Sequence, residues 1–276
     1  MDLQILVELA PWDWPEETGQ VLLDALRDDG LAPSDRMIAV ELAGNFVVVN
    51  DELVAELVSV VADAGESQEL RARAVIALGP VLESGDTDGF DEEYGAPISE
   101  RCYREMNQTL RELYQDAELP KEVRRRILEA SVRAPQDWHR EAIRDAYAST
   151  DDDWNLTAVF AMEFVRGFDD EILDALGREN DEIEYQAVCA AGARGLDAAW
   201  KHVSGIVASG CSDKELLLAA IDAVVSIRPK EAGMVLVDLT DDDDEDVVEA
   251  AHEAMAMAGA ISGLEVDDEF DDETLV

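Results

Sequence analysis

The sequence predicts an all-α protein: a right-handed α-solenoid of about seven helix-pair repeats, with about 13–15 helices and no sheet. Three observations carry this expectation. Apolar residues make up 47% of the 276, but aromatics only 6%. Ala, Leu and Val dominate the apolar set, which suits closely packed helices better than a β-sandwich. A small residue also returns at a near-constant spacing, and each return is followed by a turn signal and a second amphipathic stretch.

The returning positions are Ala39 in DRMIAVELAGN, Ala74 in ELRARAVIALG, Ile127 in EVRRRILEASV, Ala158 in WNLTAVFAMEFV, Ala187 in EIEYQAVCAAGARG, Ala220 in LLLAAIDAVVSI and Ala251 in VVEAAHEAMAMAG. The spacings are 35, 53, 31, 29, 33 and 31 residues. Apart from the 53, they describe one supersecondary unit copied along the chain. A small anchor lets helix axes approach to roughly 8 Å. Segments 50–65 and 196–210 read as second helices of such pairs. Acids near each helix start complement the macrodipole and supply caps. The acidic run 241–246 therefore reads as a loop, with Asp243 to Asp246 capping the last repeat.

The 53-residue interval holds an insertion at 84–97. Asp86-Thr87-Asp88-Gly89 opens like a calcium loop. Phe90, Asp91 and Pro97 then stand where an EF-hand needs an oxygen ligand, Gly and Glu, so a surface loop is expected. Phe90 and Tyr94 are expected to tuck against the helices or meet a partner. Residues 1–260 form a single solenoid domain in this reading, and 261–276 an acidic flexible tail.

Tandem helix pairs of this length, with ELRARAVIALG and EIEYQAVCAAG as the best matches, resemble the short prokaryotic form of the HEAT-repeat family over roughly residues 33–260. The resemblance implies an arginine three residues before the anchor that ties neighbouring repeats. Arg36, Arg71 and Arg124 fill that place in the first three repeats, while Asn155, Glu184, Leu217 and Val248 replace it later. The C-terminal half is therefore expected to rely more on apolar packing. The resemblance also implies a concave groove lined by the second helices. That implication, with the hot-spot character of Arg and Trp, marks Arg101, Arg104, Trp138, His139, Arg140, Arg144, Trp200 and Lys201 as partner-binding candidates.

Charge bounds the function. Acids outnumber bases 65 to 21, a net charge of −44. Nucleic acid is an unlike partner for such a surface, because phosphate binding needs a basic footprint. Residues 1–97 hold 4 bases against 22 acids, residues 98–150 hold 10 of each, and residues 151–276 hold 7 against 33. The middle is an arginine-rich island, read either as intrahelical pairs such as Glu100 with Arg104 or as a recognition patch. Cys102, Cys189 and Cys211 lie far apart and suggest buried thiols in a reducing compartment. No secretory leader and no membrane-length apolar run is visible, so a cytoplasmic protein, most simply a monomer, is expected.

Chemistry is sparse. His252-Glu253 begins a zinc-protease pattern, but position 256 is Ala, so the second imidazole is missing. No nucleophile elbow, phosphate loop or dinucleotide fingerprint occurs. The expectation is a non-enzymatic scaffold that binds another protein in its concave groove, with no metal and no cofactor. The rivals are a lyase-like enzyme around His139 or His202 and an acidic decoy or chaperone for basic proteins.

The acid excess, with 17 Arg but only 4 Lys, also resembles adaptation to salt. At molar salt the Debye length falls to roughly 3 Å and self-repulsion is screened. Unfolding midpoints measured from dilute buffer to molar potassium chloride are expected to rise markedly. A flat series would assign the acidity to a binding surface instead.

Overall fold

The structure is a computed structural model that describes residues 3–91, 95–211 and 213–269. Among the described residues there are fifteen α-helices and no strand. The chain divides into two compact units, Met1–Ala142 and Ile143–Val276.

The first unit contains α1 (Leu3–Glu8), α2 (Thr18–Arg27), α3 (Pro33–Ala43), α4 (Asp51–Ala62), α5 (Gln68–Thr87), α6 (Glu100–Gln115) and α7 (Lys121–Ser131). The boundary falls inside α8 (His139–Tyr147). The second unit contains α9 (Asp152–Met162), α10 (Asp169–Ala175), α11 (Asp181–Arg194), α12 (Trp200–Ser209), α13 (Lys214–Ile227), α14 (Pro229–Leu236) and α15 (Glu245–Glu269).

Both units are helical solenoids by their packing. Odd-numbered helices form one row: α1, α3, α5 and α7 in the first unit, and α9, α11, α13 and α15 in the second, each touching the next. Even-numbered helices form the other row, as α2 against α4 against α6, and α12 against α14. The second helices also rest on the first-helix row, as α4 does on α3 and α5.

The anchors lie where this packing is closest. Ala39, Ala74, Ile127, Ala158, Ala187, Ala220 and Ala251 are all fully buried on the first-helix rows. Five residues after Ala39 and Ala187 stand Gly44 and Gly192. A Cβ on Gly192 would lie 2.9 Å from both Cα and Cβ of Ala223 on α13, and one on Gly44 would clash with the carbonyl of Ala77 on α5. Both glycines are present because two helix backbones meet there.

Local signals fix where the helices start. The side chains of Asn50, Ser67, Ser99, Asp151, Asn180 and Asp213 each accept a hydrogen bond from an amide in the following first turn. Caps of this kind contribute about 1 kcal/mol each. In the acidic run, Asp244 accepts from the amide of Asp246 and from Lys214 Nζ at 2.8 Å, so these acids start α15 and pin it to α13.

The arginine ties follow one rule. Arg36 donates to the carbonyl of Leu26, Arg71 to that of Val61 and Arg124 to that of Tyr114, each ten residues upstream at the end of the preceding second helix. In the second unit Asn155 donates back to Ser149 and Asp151 and accepts from Arg178, Glu184 accepts His202 Nε2 at 2.9 Å, and Leu217 is buried.

Two stretches differ from the sequence reading. Residues 84–87, placed in the insertion loop, are the last turn of α5, held by Ser84 Oγ donating to Asp88. Phe90 tucks onto the Tyr103 ring at 5.2 Å, whereas Tyr94 lies outside the described residues. The last helix runs past 260 to Glu269, and the rest of the tail lies outside the described residues.

Gly192→Ala and Ala187→Leu each force groups into a closed helix contact. Both are expected to lower stability by about 1–3 kcal/mol in urea unfolding, whereas the exposed neighbour substitution Ala193→Ser is expected to change little.

Candidate functional site

The partner-binding candidates fall in both units. In the first, Arg101 and Arg104 stand on α6 with side chains 82% and 68% exposed, paired within the helix to Glu105 at 2.9 Å and Glu100 at 3.7 Å. The local pairing reading holds for them, and such exposed pairs contribute only a few tenths of a kcal/mol. Arg140 is exposed on α8.

His139 corrects the expectation, because it is fully buried and cannot meet a partner. Its Nδ1 accepts from the amide of Gln136 at 2.8 Å. Ser131 Oγ donates to the carbonyl of Ile127, so the 2.9 Å contact to His139 Nε2 has the imidazole as donor. Trp138 lies half-buried between the His139 ring at 3.9 Å and the Tyr114 ring at 5.0 Å. Its indole N–H donates to Gln136, whose amide donates to the buried Asn107. These residues join α6, α7 and the start of α8, and both imidazole nitrogens are occupied.

In the second unit Arg144 is exposed, with its guanidinium 5.8 Å from the Phe168 ring. Trp200 is half-buried beneath Arg228, which also pairs with Asp197 at 2.6 Å. Lys201 is exposed. Tyr147 is likewise engaged, donating to Asp174 at 2.6 Å; burial, helped by this hydrogen bond, pushes its phenol up to about 12. Most aromatic members of the candidate set are thus internal joints.

The surface the sequence reading missed lies on the first-helix rows. In the second unit a groove of about 580 Å³ runs along α11 and α13. Cys189, Gly192, Ala193, Leu218, Ala219 and Ala223 line it with small and apolar groups, and Glu163, Tyr185, Glu215 and Asp222 add polar ones. Burial pushes the Asp222 carboxyl and the Cys189 thiol up. In the first unit a groove of about 490 Å³ along α5 and α7 is lined by Glu69, Ala72, Arg73, Ile76, Glu122 and Arg126. Three of the four helices, α5, α11 and α13, share a register. Ala72 and Ile76 stand two residues either side of their anchor, as do Tyr185 and Cys189, and Leu218 and Asp222. Counting from the anchors would have found this face.

Among the described residues no group of three or more His, Cys, Asp or Glu is arranged to hold a metal ion, and no helix is long and apolar enough to cross a membrane.

No protein-family model and no curated protein matches this chain. Solved structures do. Human deoxyhypusine hydroxylase in complex with glycerol is similar over 91% of this chain and 87% of its own, at 15% identity and a TM-score of 0.40. A designed armadillo repeat protein is similar over 88% of this chain and 100% of its own, at 15% identity and a TM-score of 0.33. With a hydroxylase among the matches, the expectation that the chain is no enzyme is corrected: helix-repeat packing is no ground for excluding catalysis. At this distance the likeness assigns no activity.

Burial holds His139 at a pKa of about 4, against about 6.5 in an unfolded chain. The unfolded state binds more protons between these values, so stability rises with pH through that window. The contribution is complete above about pH 6.5 and is lost as pH falls towards 4, up to about 3 kcal/mol. Carboxylates titrate in the same range, so the comparison is with His139→Gln. Its unfolding free energy is expected to fall less steeply than that of the parent between pH 7 and 4, and equal slopes would contradict the burial argument.

Proposed function

We propose that this chain is a protein-interaction module of HEAT-like repeats, and that it holds a segment of a partner protein on its first-helix face. The observation that carries this reading is the recurrence of an open groove between neighbouring first helices in both units, along α5 and α7 and along α11 and α13. A repeat that uses its core for neighbour packing offers its row of helix faces as its binding surface. The groove volumes fall in the range of roughly 300–1,000 Å³ typical of ligand clefts. Exposed Ile76 and the half-buried Leu218 supply apolar contact within them.

The competing surface is the second-helix set around Arg101 and Arg104. Ala193→Trp would fill one groove and Ile76→Glu would charge the other, both at exposed positions. Capture of native partners from lysate of the source cells is expected to drop several-fold in this double variant and to persist in Arg101→Glu/Arg104→Glu. The reverse result would move the binding surface to the second helices.

A further inference from the structure

We propose that the groove along α11 and α13 takes a cationic segment, an extended stretch of a basic protein carrying arginine or lysine. This deepens the protein-binding reading and rests on it.

Both grooves lie between neighbouring first helices, but they differ in charge state. In the first unit two arginines line the groove beside its two carboxylates, Glu69 and Glu122: Arg126 pairs with Glu122 at 2.8 Å, and Arg73 stands on α5. In the second unit no Lys, Arg or His lines the groove. Among the described residues Glu215 and Asp222 have no cation within salt-bridge distance. Arg194 donates to the backbone carbonyl of Glu163 at 3.4 Å, at one edge of the groove. The carboxylates at the other edge are left for an outside partner.

The floor fits the same occupant. Ala193, Ala219 and Leu218 offer an apolar strip on which the methylenes of an arginine or lysine stem can lie, while its charged head reaches the rim. A guanidinium suits a carboxylate rim best, since its planar fork bonds carboxylates in pairs and is weakly hydrated. Asp222 is exposed on α13, so its carboxylate is accessible to such a head group. A second copy of this chain is a poor occupant, because each copy carries a net charge of −44.

A chain this acidic attracts any cation weakly, so the test must separate the groove from the general field. The probe is a fluorescein-labelled peptide of alternating arginine and alanine, titrated into the full chain at near-physiological salt, with the citrulline peptide as its neutral counterpart. Glu215→Gln/Asp222→Asn is compared with Glu118→Gln/Glu141→Gln, which removes equal charge from exposed positions in the first unit. The groove pair is expected to weaken binding at least tenfold and the control pair less than twofold. The peptide is also expected to slow maleimide labelling of Cys189 while leaving Cys102 and Cys211 unchanged. Equal weakening by both pairs, equal binding of the citrulline peptide, or unprotected Cys189 would overturn the proposal. If Ala193→Trp abolishes partner capture while the arginine peptide fails to bind, the cationic occupant falls and the protein-binding reading stands.

Discussion

Close approach of the first helices at small, fully buried anchors is the constraint on which the rest of this structure depends. Six of the seven anchors are alanine, and glycine follows five residues later wherever backbones come nearest, as at Gly44 and Gly192. A short side chain buries little area by itself, at roughly 25 cal/mol per Å² of apolar surface. Its effect is to let Val40, Val75, Val188, Ile221 and their neighbours, all fully buried, close on the next helix. No single repeat can bury its apolar side alone, so stability is a sum over neighbour interfaces.

That constraint leaves the polar groups to specialise. In the first unit arginines run from the first helices to the ends of the preceding second helices, satisfying carbonyls that a helix terminus leaves open. The same unit sets Arg73 and Arg126 among the carboxylates of its groove. The second unit gives up both devices: Leu217 and Val248 take the tying places, and the groove acids Glu215 and Asp222 lack an internal cation among the described residues. The outcome is one scaffold with two differently charged first-helix faces, and only the second is strongly negative.

The fold was largely legible because the anchors, caps and tying residues are local and periodic. ELRARAVIALG announces its own cap-to-anchor register, and Asp244 to Asp246 start a helix as acids before an alanine-rich stretch should. What was illegible required knowing which partner a side chain meets. His139 looks like a surface ligand in sequence, and only the placement of Ser131 and Gln136 makes it a buried joint. Gly85 to Thr87 look like loop, but Gly85 packs so closely beneath Tyr103 that the helix continues there. The groove was hidden for a different reason: its floor is mostly alanine and glycine with Cys189 and Leu218, residues that carry no chemical signal until two helices set them side by side.

The first-helix rows are the structural core of each unit and the second helices its outer layer. Native-state amide hydrogen exchange measures that ranking directly, because it reports opening free energies residue by residue. The slowest amides are expected on either side of Ala74, Ala187 and Ala220, on α5, α11 and α13, with α4, α6, α12 and α14 exchanging earlier. Slowest exchange in the second helices, or uniform protection across both rows, would contradict the claim that closely approaching anchors hold the protein together.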